Sequence, residues 1–194
     1  MWHSWPVPKR VDHEERRREI TEAVWRIATA EGLAAVTLRR VAAEAGISMN
    51  LVQYYFTSKE KMIRYGLERV IEVAVARMSA ELEAVRESGD SRAVVRAAIV
   101  GMLPVDDVTR HTSAVYYAYL LHAITDEEIR SIVSGIPRQL APRLAHRVPG
   151  ADPLVELESL IALASGLAVG VLVGSYTAEE AVAFVDHRLD RLYA

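Results

Sequence analysis

Two short stretches of helical pattern, separated by a tight turn, constrain the fold of this chain more than any other feature. The first stretch, "TLRRVAAEAG", begins at Thr37 and ends at Gly46, and its apolar residues recur at helical spacing. The second begins at Ser48, a residue type that favours the N-cap, and places Val52 and Phe56 one turn apart. Since glycine permits a sharp turn between crossing helices, the segment predicts a helix-turn-helix, although an ordinary helical hairpin has the same pattern.

The residues of the second helix that point away from its apolar face favour the helix-turn-helix. Asn50, Gln53 and Tyr54 fall on this outward face, and Leu51 lies at its flank. Asn and Gln side chains can pair with adenine in the major groove, and Met49 or Leu51 could contact a thymine methyl group. The pattern therefore predicts that this helix reads DNA bases.

Two of the three lysines in the chain, Lys59 and Lys61, fall in the first turn of the following helix. Cations are unfavourable there by a few tenths of a kcal/mol, because the N-terminus is the positive end of the helix dipole. A phosphate group at this position would outweigh that cost, since the free N–H groups and the lysine would both bind it. Lys59 is therefore predicted to contact the DNA backbone, and Lys61 is either a second contact or a solvent-facing residue.

The N-terminal third of the chain is basic, although the whole chain has a net charge of −3. Residues 1–64 contain eleven Lys and Arg against eight Asp and Glu, which gives a net charge of +3. The remaining residues contain twelve against eighteen, which gives −6. Because nucleic acid attracts basic surfaces, the N-terminal third is the part expected to meet phosphate. Arg16, Arg17 and Arg18 alternate with glutamates and are predicted to form a solvated helix face.

The segment "TLRRVAAEAGISMNLVQYYFTSKEKM" resembles the DNA-binding segment of the TetR family of bacterial transcriptional regulators. "PKRVDHEERRREI" resembles the opening of its actinobacterial members, and the strong match covers roughly residues 8–64. Gln53 stands where the family usually has Tyr, and Asn50 and Leu51 stand where Gly and Thr are frequent, so the operator sequence does not follow from the resemblance. With the base-reading pattern, it implies the following DNA-binding residues: Thr37, Arg39, Ser48, Met49, Asn50, Leu51, Gln53, Tyr54, Tyr55 and Lys59.

The rest of the chain has helical periodicity and no convincing strand alternation, so the predicted fold is all-α with about nine helices. Residues 1–57 are predicted to form a three-helix DNA-binding domain with an N-terminal arm. Residues 58–194 are predicted to form a larger helical domain for ligand binding and dimerisation, with a weaker resemblance to the BetI-type C-terminal subgroup. Lys9 and Arg10 of the arm could reach a minor groove.

The segment "SLIALASGLAVGVLVGSY" is apolar on all sides and close to the length of a membrane span. Acidic residues precede and follow it without flanking Lys or Arg, so a fully buried helix is predicted instead of a span. Its glycines, four residues apart, would allow close helix approach, and the TetR resemblance implies pairing of the last two helices into a four-helix bundle. The predicted dimer-interface residues are Gly166, Gly170, Gly174, Ala181, Val185 and Leu189.

The segment "RHTSAVYYAYLLHAIT", residues 110–125, is the richest in aromatic and histidine side chains. Buried Tyr and His need polar partners, which a ligand pocket could supply, although core or surface aromatics would give the same pattern. The predicted ligand-binding residues are Met78, Met102, Tyr116, Tyr117, Tyr119 and His122.

The predicted function is that of a ligand-responsive transcriptional regulator, most simply a repressor released from a palindromic double-stranded DNA operator by a small-molecule effector. The chain contains no cysteine and no recognisable enzyme motif, so we predict no catalytic residue, metal site or cofactor. The protein is expected to be a cytoplasmic homodimer with no membrane role. An all-α small-molecule-binding protein or enzyme without a DNA role is the alternative.

Overall fold

The structure is a computed structural model that describes residues 13–86 and 89–194, so the predicted arm contacts Lys9 and Arg10 lie outside the described residues. Within these ranges the regular elements are ten α-helices and two 3₁₀ turns, without a strand, and the all-α prediction is confirmed. The elements are α1 (His13–Glu31), a 3₁₀ turn (Leu33–Ala35), α2 (Leu38–Glu44), α3 (Met49–Tyr55), α4 (Lys59–Arg86), α5 (Ser91–Val100), α6 (Asp107–His122), α7 (Glu127–Val133), α8 (Ile136–Leu144), a second 3₁₀ turn (Ala145–Arg147), α9 (Pro153–Leu172) and α10 (Ala178–Leu192).

The segment between α6 and α9 is not one helix, because it forms α7, α8 and the second 3₁₀ turn. The chain leaves α7 at Ser134, and α8 starts after Gly135 with a proline in its first turn. Proline has no N–H to donate to a preceding helical turn, so it fits the start of a new helix and not the interior of a longer one.

The chain divides into two compact units within α4, after Gly66, whereas the predicted domains meet between residues 57 and 58. In the first unit the Trp25 indole N–H donates to the Gly66 carbonyl oxygen at 3.1 Å, and Met62 and Ile63 of α4 are buried. The first two turns of α4 therefore belong to the packed N-terminal unit.

The core of the second unit is formed mainly by α5, α8, α9 and α10. Ion pairs flank it, because Arg96 binds Asp186 between α5 and α10, with an Nε–Oδ1 distance of 2.5 Å, and Arg188 of α10 binds Glu156 of α9. The fully buried residues of this core include Val95, Ile99, Leu103, Leu157, Ala164, Ala168, Ala181, Val185 and Leu189.

Four of the predicted dimer-interface residues are covered by their own chain. Ala181, Val185 and Leu189 are fully buried in the core of their own chain, and Gly170 is buried. A Cβ atom at Gly170 would lie 2.4 Å from the Tyr176 ring, so this glycine makes room for a side chain of the same protomer. Helical spacing predicts that a face is apolar but not which surface covers it, and here the chain itself covers these four residues.

One face of α9 is uncovered in the single chain, so the chain alone does not bury this helix on every side. Ala162, Gly166, Val169 and Val173 are exposed and follow one another at helical spacing. By length and composition α9 is apolar enough to cross a membrane, and 44% of its apolar window is buried within the chain. The exposed stripe remains to be covered by another surface.

Candidate nucleic-acid interface

The turn between α2 and α3 has the geometry that the sequence predicts. Gly46 adopts a φ of 65°, a left-handed conformation that side chains other than glycine rarely adopt. The Ile47 N–H donates to the Ala42 carbonyl oxygen at 3.0 Å, and the Ala42 side chain is buried between the helices. This turn fixes the direction in which α3 leaves α2.

The N-terminal caps of α2 and α3 use two of the predicted DNA-binding residues. The Thr37 hydroxyl accepts from the Arg40 N–H, and the Ser48 hydroxyl accepts from the Leu51 N–H, each at 3.2 Å. Such caps hold the first turn of each helix in place. Thr37 and Ser48 are exposed, so a DNA role for them would add to this structural role.

The exposed face of α3 is the face that the sequence predicts to read DNA. Val52 is fully buried and Phe56, just after the helix, is 4% exposed, whereas Tyr54 is 69% exposed. Burial of these two apolar residues fixes the rotation of α3 about its axis. The exposed residues of α3 are Met49, Asn50, Gln53 and Tyr54, and Leu51 is half-buried.

Two adjacent arginines of α2 have different environments. The Arg40 guanidinium binds both carboxylate oxygens of Glu31, with one N–O distance of 2.7 Å. This hydrogen-bonded pair raises the pKa of Arg40 and lowers the pKa of Glu31. The exposed Arg39 side chain makes no ion pair or hydrogen bond with the described residues. Arg39 is thus the one of the two whose charge is available to a ligand.

Tyr55 is held against the start of α1. Its hydroxyl lies 3.0 Å from the Nδ1 atom of His13, and the two rings are 5.7 Å apart. The Tyr54 ring meets the Tyr55 ring edge-on at 5.1 Å. The sequence pattern did not single out His13, because its partner lies 42 residues away and no local signal connects the two. The predicted DNA contact of Tyr55 would have to coexist with this contact.

Lys59 is the first residue of α4, as the sequence predicts, and it is half-buried. The preceding Ser58 caps the helix, since its hydroxyl accepts from the Lys61 N–H at 3.2 Å. Neither lysine side chain has an acidic partner among the described residues. The start of α4 therefore combines a positive helix end with two unneutralised amines, an arrangement suited to an anion.

The four predicted ligand-binding residues of α6 have different environments. Tyr119 is fully buried, and the Tyr117 hydroxyl donates to the Ser165 carbonyl oxygen at 3.0 Å. Burial raises the pKa of the Tyr116 and Tyr117 hydroxyls. The His122 Nε2 atom lies 3.5 Å from a carboxylate oxygen of Asp126. Met78 and Met102 are half-buried.

The second unit has a groove of about 350 Å³ that none of the six predicted ligand-binding residues lines. It is built from α4, α5, α8 and the second 3₁₀ turn, which are distant along the chain, so no local pattern in the sequence indicates it. Its lining residues are Ser79, Leu82, Glu83, Val94, Arg143, Leu144, His146 and Arg147.

Two family models cover most of the chain. Residues 20–65 match the N-terminal model of the bacterial regulatory proteins of the tetR family. Residues 91–194 match the C-terminal model of the BetI-type transcriptional repressors. The first match contains α2, the turn, α3 and Lys59, which is the candidate interface described above.

Curated relatives are similar over most of their length. The transcriptional regulator PksA of Bacillus subtilis strain 168 is 29% identical, with 86% of this chain and 83% of the relative covered. The transcriptional regulator BetI of Rhizobium meliloti strain 1021 is 28% identical, with 86% and 81% covered. Both relatives carry a helix-turn-helix description in their names.

Solved structures of transcriptional regulators have the same fold as this chain. A transcriptional regulator from Rhodococcus sp. Rha1 superposes with a TM-score of 0.80 at 23% identity, over 91% of this chain and 95% of that one. A transcriptional regulator from Saccharomonospora viridis, solved in complex with choline, gives a TM-score of 0.74 at 25% identity, over 93% and 94%. With a BetI-type match over more than half of its length and a DNA-binding match at its N-terminus, the chain belongs to the TetR family of transcriptional regulators.

Proposed function

We propose that this regulator is a cytoplasmic homodimeric repressor that binds a palindromic operator and releases it when a small molecule binds the second unit. The observation that carries the proposal is the exposed face of α3, where Asn50 and Gln53 lie next to the exposed Tyr54. Amide side chains on a helix held by a buried opposite face can read base edges in a major groove.

The DNA contacts divide into base-reading and anchoring groups. Asn50 and Gln53 of α3 read bases, whereas Lys59 and Arg39 bind phosphate, because their charges are not neutralised by described acidic residues. The unmatched positive charges stand at the start of α4 and on α2, on either side of α3 in the sequence. This division predicts different effects for substitutions in the two groups.

The dimer forms through the uncovered faces of α9 and α10. Val169, Val173 and Phe184 are exposed there, at 42%, 70% and 46%. The Tyr176 ring meets the Phe184 ring edge-on at 5.6 Å, which extends the apolar surface between the two helices. Exposed apolar surface of this kind is stabilised by covering it with a second copy, and Gly166 permits close approach.

The effector binds within the second unit. Choline in the related Saccharomonospora viridis structure supports binding of a small organic molecule by this fold. The effector lowers operator affinity only by as much as it prefers the DNA-incompetent conformation, typically about 1 to 3 kcal/mol. The six predicted ligand-binding residues and the groove near Arg143 are the two places to locate it.

Selection of bound genomic fragments, followed by footprinting, tests the proposal. The expected site is an imperfect palindrome with half-sites about 34 Å apart, because the two α3 helices enter successive major grooves. Gln53→Ala should relax base preference at one position by about 1 to 3 kcal/mol. Lys59→Ala should weaken all sequences alike and reduce the salt slope by about one unit. A single asymmetric half-site, or no selected sequence, would contradict the proposal.

A further inference from the structure

Two unpaired arginines of the second unit line the same groove. Arg77, Arg92 and Arg96 bind carboxylates, with nitrogen–oxygen distances of 2.5 to 2.6 Å to Asp106, Asp190 and Asp186. In contrast, Arg143 and Arg147 make no side-chain ion pair or hydrogen bond with the residues that the structure describes. Both of these unpaired side chains line the groove of about 350 Å³.

The groove joins a cationic edge to an apolar wall. Arg143 lies in the last turn of α8 and Arg147 in the following 3₁₀ turn, and both line the groove. Leu82, Val94 and Leu144 supply the wall, and Val94 and Leu144 are buried. A groove of this size can bind a small organic molecule.

The backbone that carries Arg147 is held by contacts within the chain. The Tyr193 hydroxyl donates to the Arg147 carbonyl oxygen at 2.8 Å, which ties the 3₁₀ turn to the end of α10. The next residue, Val148, is buried in the core and anchors the same turn from the other side. An ordered backbone loses less entropy on ligand binding than a mobile loop.

The charges around the groove define the class of ligand. Among the residues that line the groove, Arg143 and Arg147 are arginines and Glu83 of α4 is acidic. The two arginines make no ion pair with the described residues, so this side of the groove favours an anionic group over a cationic one. The apolar wall requires a hydrocarbon body next to the anionic group.

We propose that this groove binds an amphipathic organic anion, with its carboxylate or sulfonate against Arg143 and Arg147 and its hydrocarbon part against Leu82, Val94 and Leu144. Such a compound acts as the effector, a statement that rests on the proposed function. Ser79, Leu82 and Glu83 belong to α4, the same continuous helix that begins at Lys59. A ligand that prefers one position of α4 is thereby coupled to the residue proposed to bind phosphate.

A matched pair of fluorescent probes tests the site. 1-Anilinonaphthalene-8-sulfonate carries one anionic group, and N-phenyl-1-naphthylamine has the same rings without it. In the double variant Arg143→Gln/Arg147→Gln we expect sulfonate affinity to fall by about tenfold, the size of two exposed charge contacts, and affinity for the neutral probe to change less than twofold. Arg191→Gln, which removes a surface arginine outside the groove lining, is the control and should leave both affinities unchanged.

Equal sulfonate affinity in the wild-type protein and the double variant would overturn the site. An equal loss of sulfonate affinity in the Arg191→Gln control would overturn it as well. The operator readout is separate: the sulfonate should release the selected operator from the wild-type protein but not from the double variant. If the arginines control probe binding while the operator stays bound, the site stands and the effector role is overturned. If no operator is selected at all, the proposed function fails, whereas the probe measurements still decide the site.

Discussion

At the residue scale, Arg39 and Arg40 show how neighbouring identical side chains acquire different roles. Arg40 is neutralised by both oxygens of Glu31, and Arg39 has no such partner among the described residues. Adjacent positions on a helix point about 100° apart, so only one of the two faces α1. The free charge is therefore the one to assign to DNA.

We expect Arg39→Ala to weaken binding to specific and non-specific DNA by a similar factor and to lower the salt slope by about one unit. Arg40→Ala is the matched control, because its charge already pairs with Glu31, and it should leave the salt slope unchanged. Fluorescence anisotropy titrations at several salt concentrations measure both slopes. A larger change of slope for Arg40→Ala than for Arg39→Ala would reverse the assignment.

At the element scale, the turn before α3 depends on the left-handed conformation of Gly46. A Cβ at this position would meet no atom within 4 Å, so the cost of Gly46→Ala is backbone strain alone. We expect the variant to lose about 1 to 2 kcal/mol of unfolding free energy. Gly46→Asn should lose less, because asparagine tolerates this conformation better.

Urea unfolding followed by the fluorescence of the buried Trp25 measures these losses in the N-terminal unit. All the compared proteins carry Trp2→Phe and Trp5→Phe, so that Trp25 is their only fluorescent tryptophan. If alanine and asparagine were equally costly, the left-handed backbone would not be the reason for the glycine.

The start of α6 is held by a carboxylate whose ionisation depends on its contacts. Asp106 accepts from the Thr109 N–H at 2.8 Å and binds Arg77 of α4 at 2.6 Å. These hydrogen bonds, that of the Thr109 backbone foremost, lower the pKa of Asp106 from 3.8 to about 2. A lowered folded-state pKa stabilises the protein above the unfolded-state value, and this contribution is lost as the pH falls through the folded-state value.

Asp106→Asn keeps an N-cap residue but removes the charge. We therefore expect the stability difference between wild type and this variant to be largest above pH 4 and to shrink as the pH approaches 2. Urea unfolding at a series of pH values measures the difference. The control is Asp107→Asn, which removes a negative charge from the same helix end. If the free energy of unfolding depended on pH identically in both variants, the Asp106 contacts would not contribute as proposed.

At the scale of the whole molecule, the exposed stripe of α9 predicts the oligomeric state. Val169→Glu/Val173→Glu places two like charges on this stripe without disturbing the core, because both side chains are exposed. We expect the variant to be monomeric by light scattering and to lose most of its operator affinity, since one half-site contributes far less than two. Val75→Glu on α4, which is 54% exposed, is the control and should remain dimeric. A dimeric double variant would place the interface elsewhere.

The sequence by itself determined the helices, their caps and the turn of the DNA-binding segment. Thr37 and Ser48 cap the helices that they were predicted to start, and Gly46 has the conformation that the turn requires. The buried face of α3 also follows from Val52 and Phe56 alone. These features depend on atoms within about four residues of one another, so each is encoded in a short stretch of chain.

Only the tertiary structure decided which surface each face meets. The stripe of Ala181, Val185 and Leu189 has the spacing of an interface, but it packs against the core of its own chain. The contact of His13 with Tyr55 and the groove near Arg143 join segments that are far apart in the sequence. Periodicity specifies that a face is apolar, and only the packing of distant helices specifies whether the protomer, a partner or a ligand covers it.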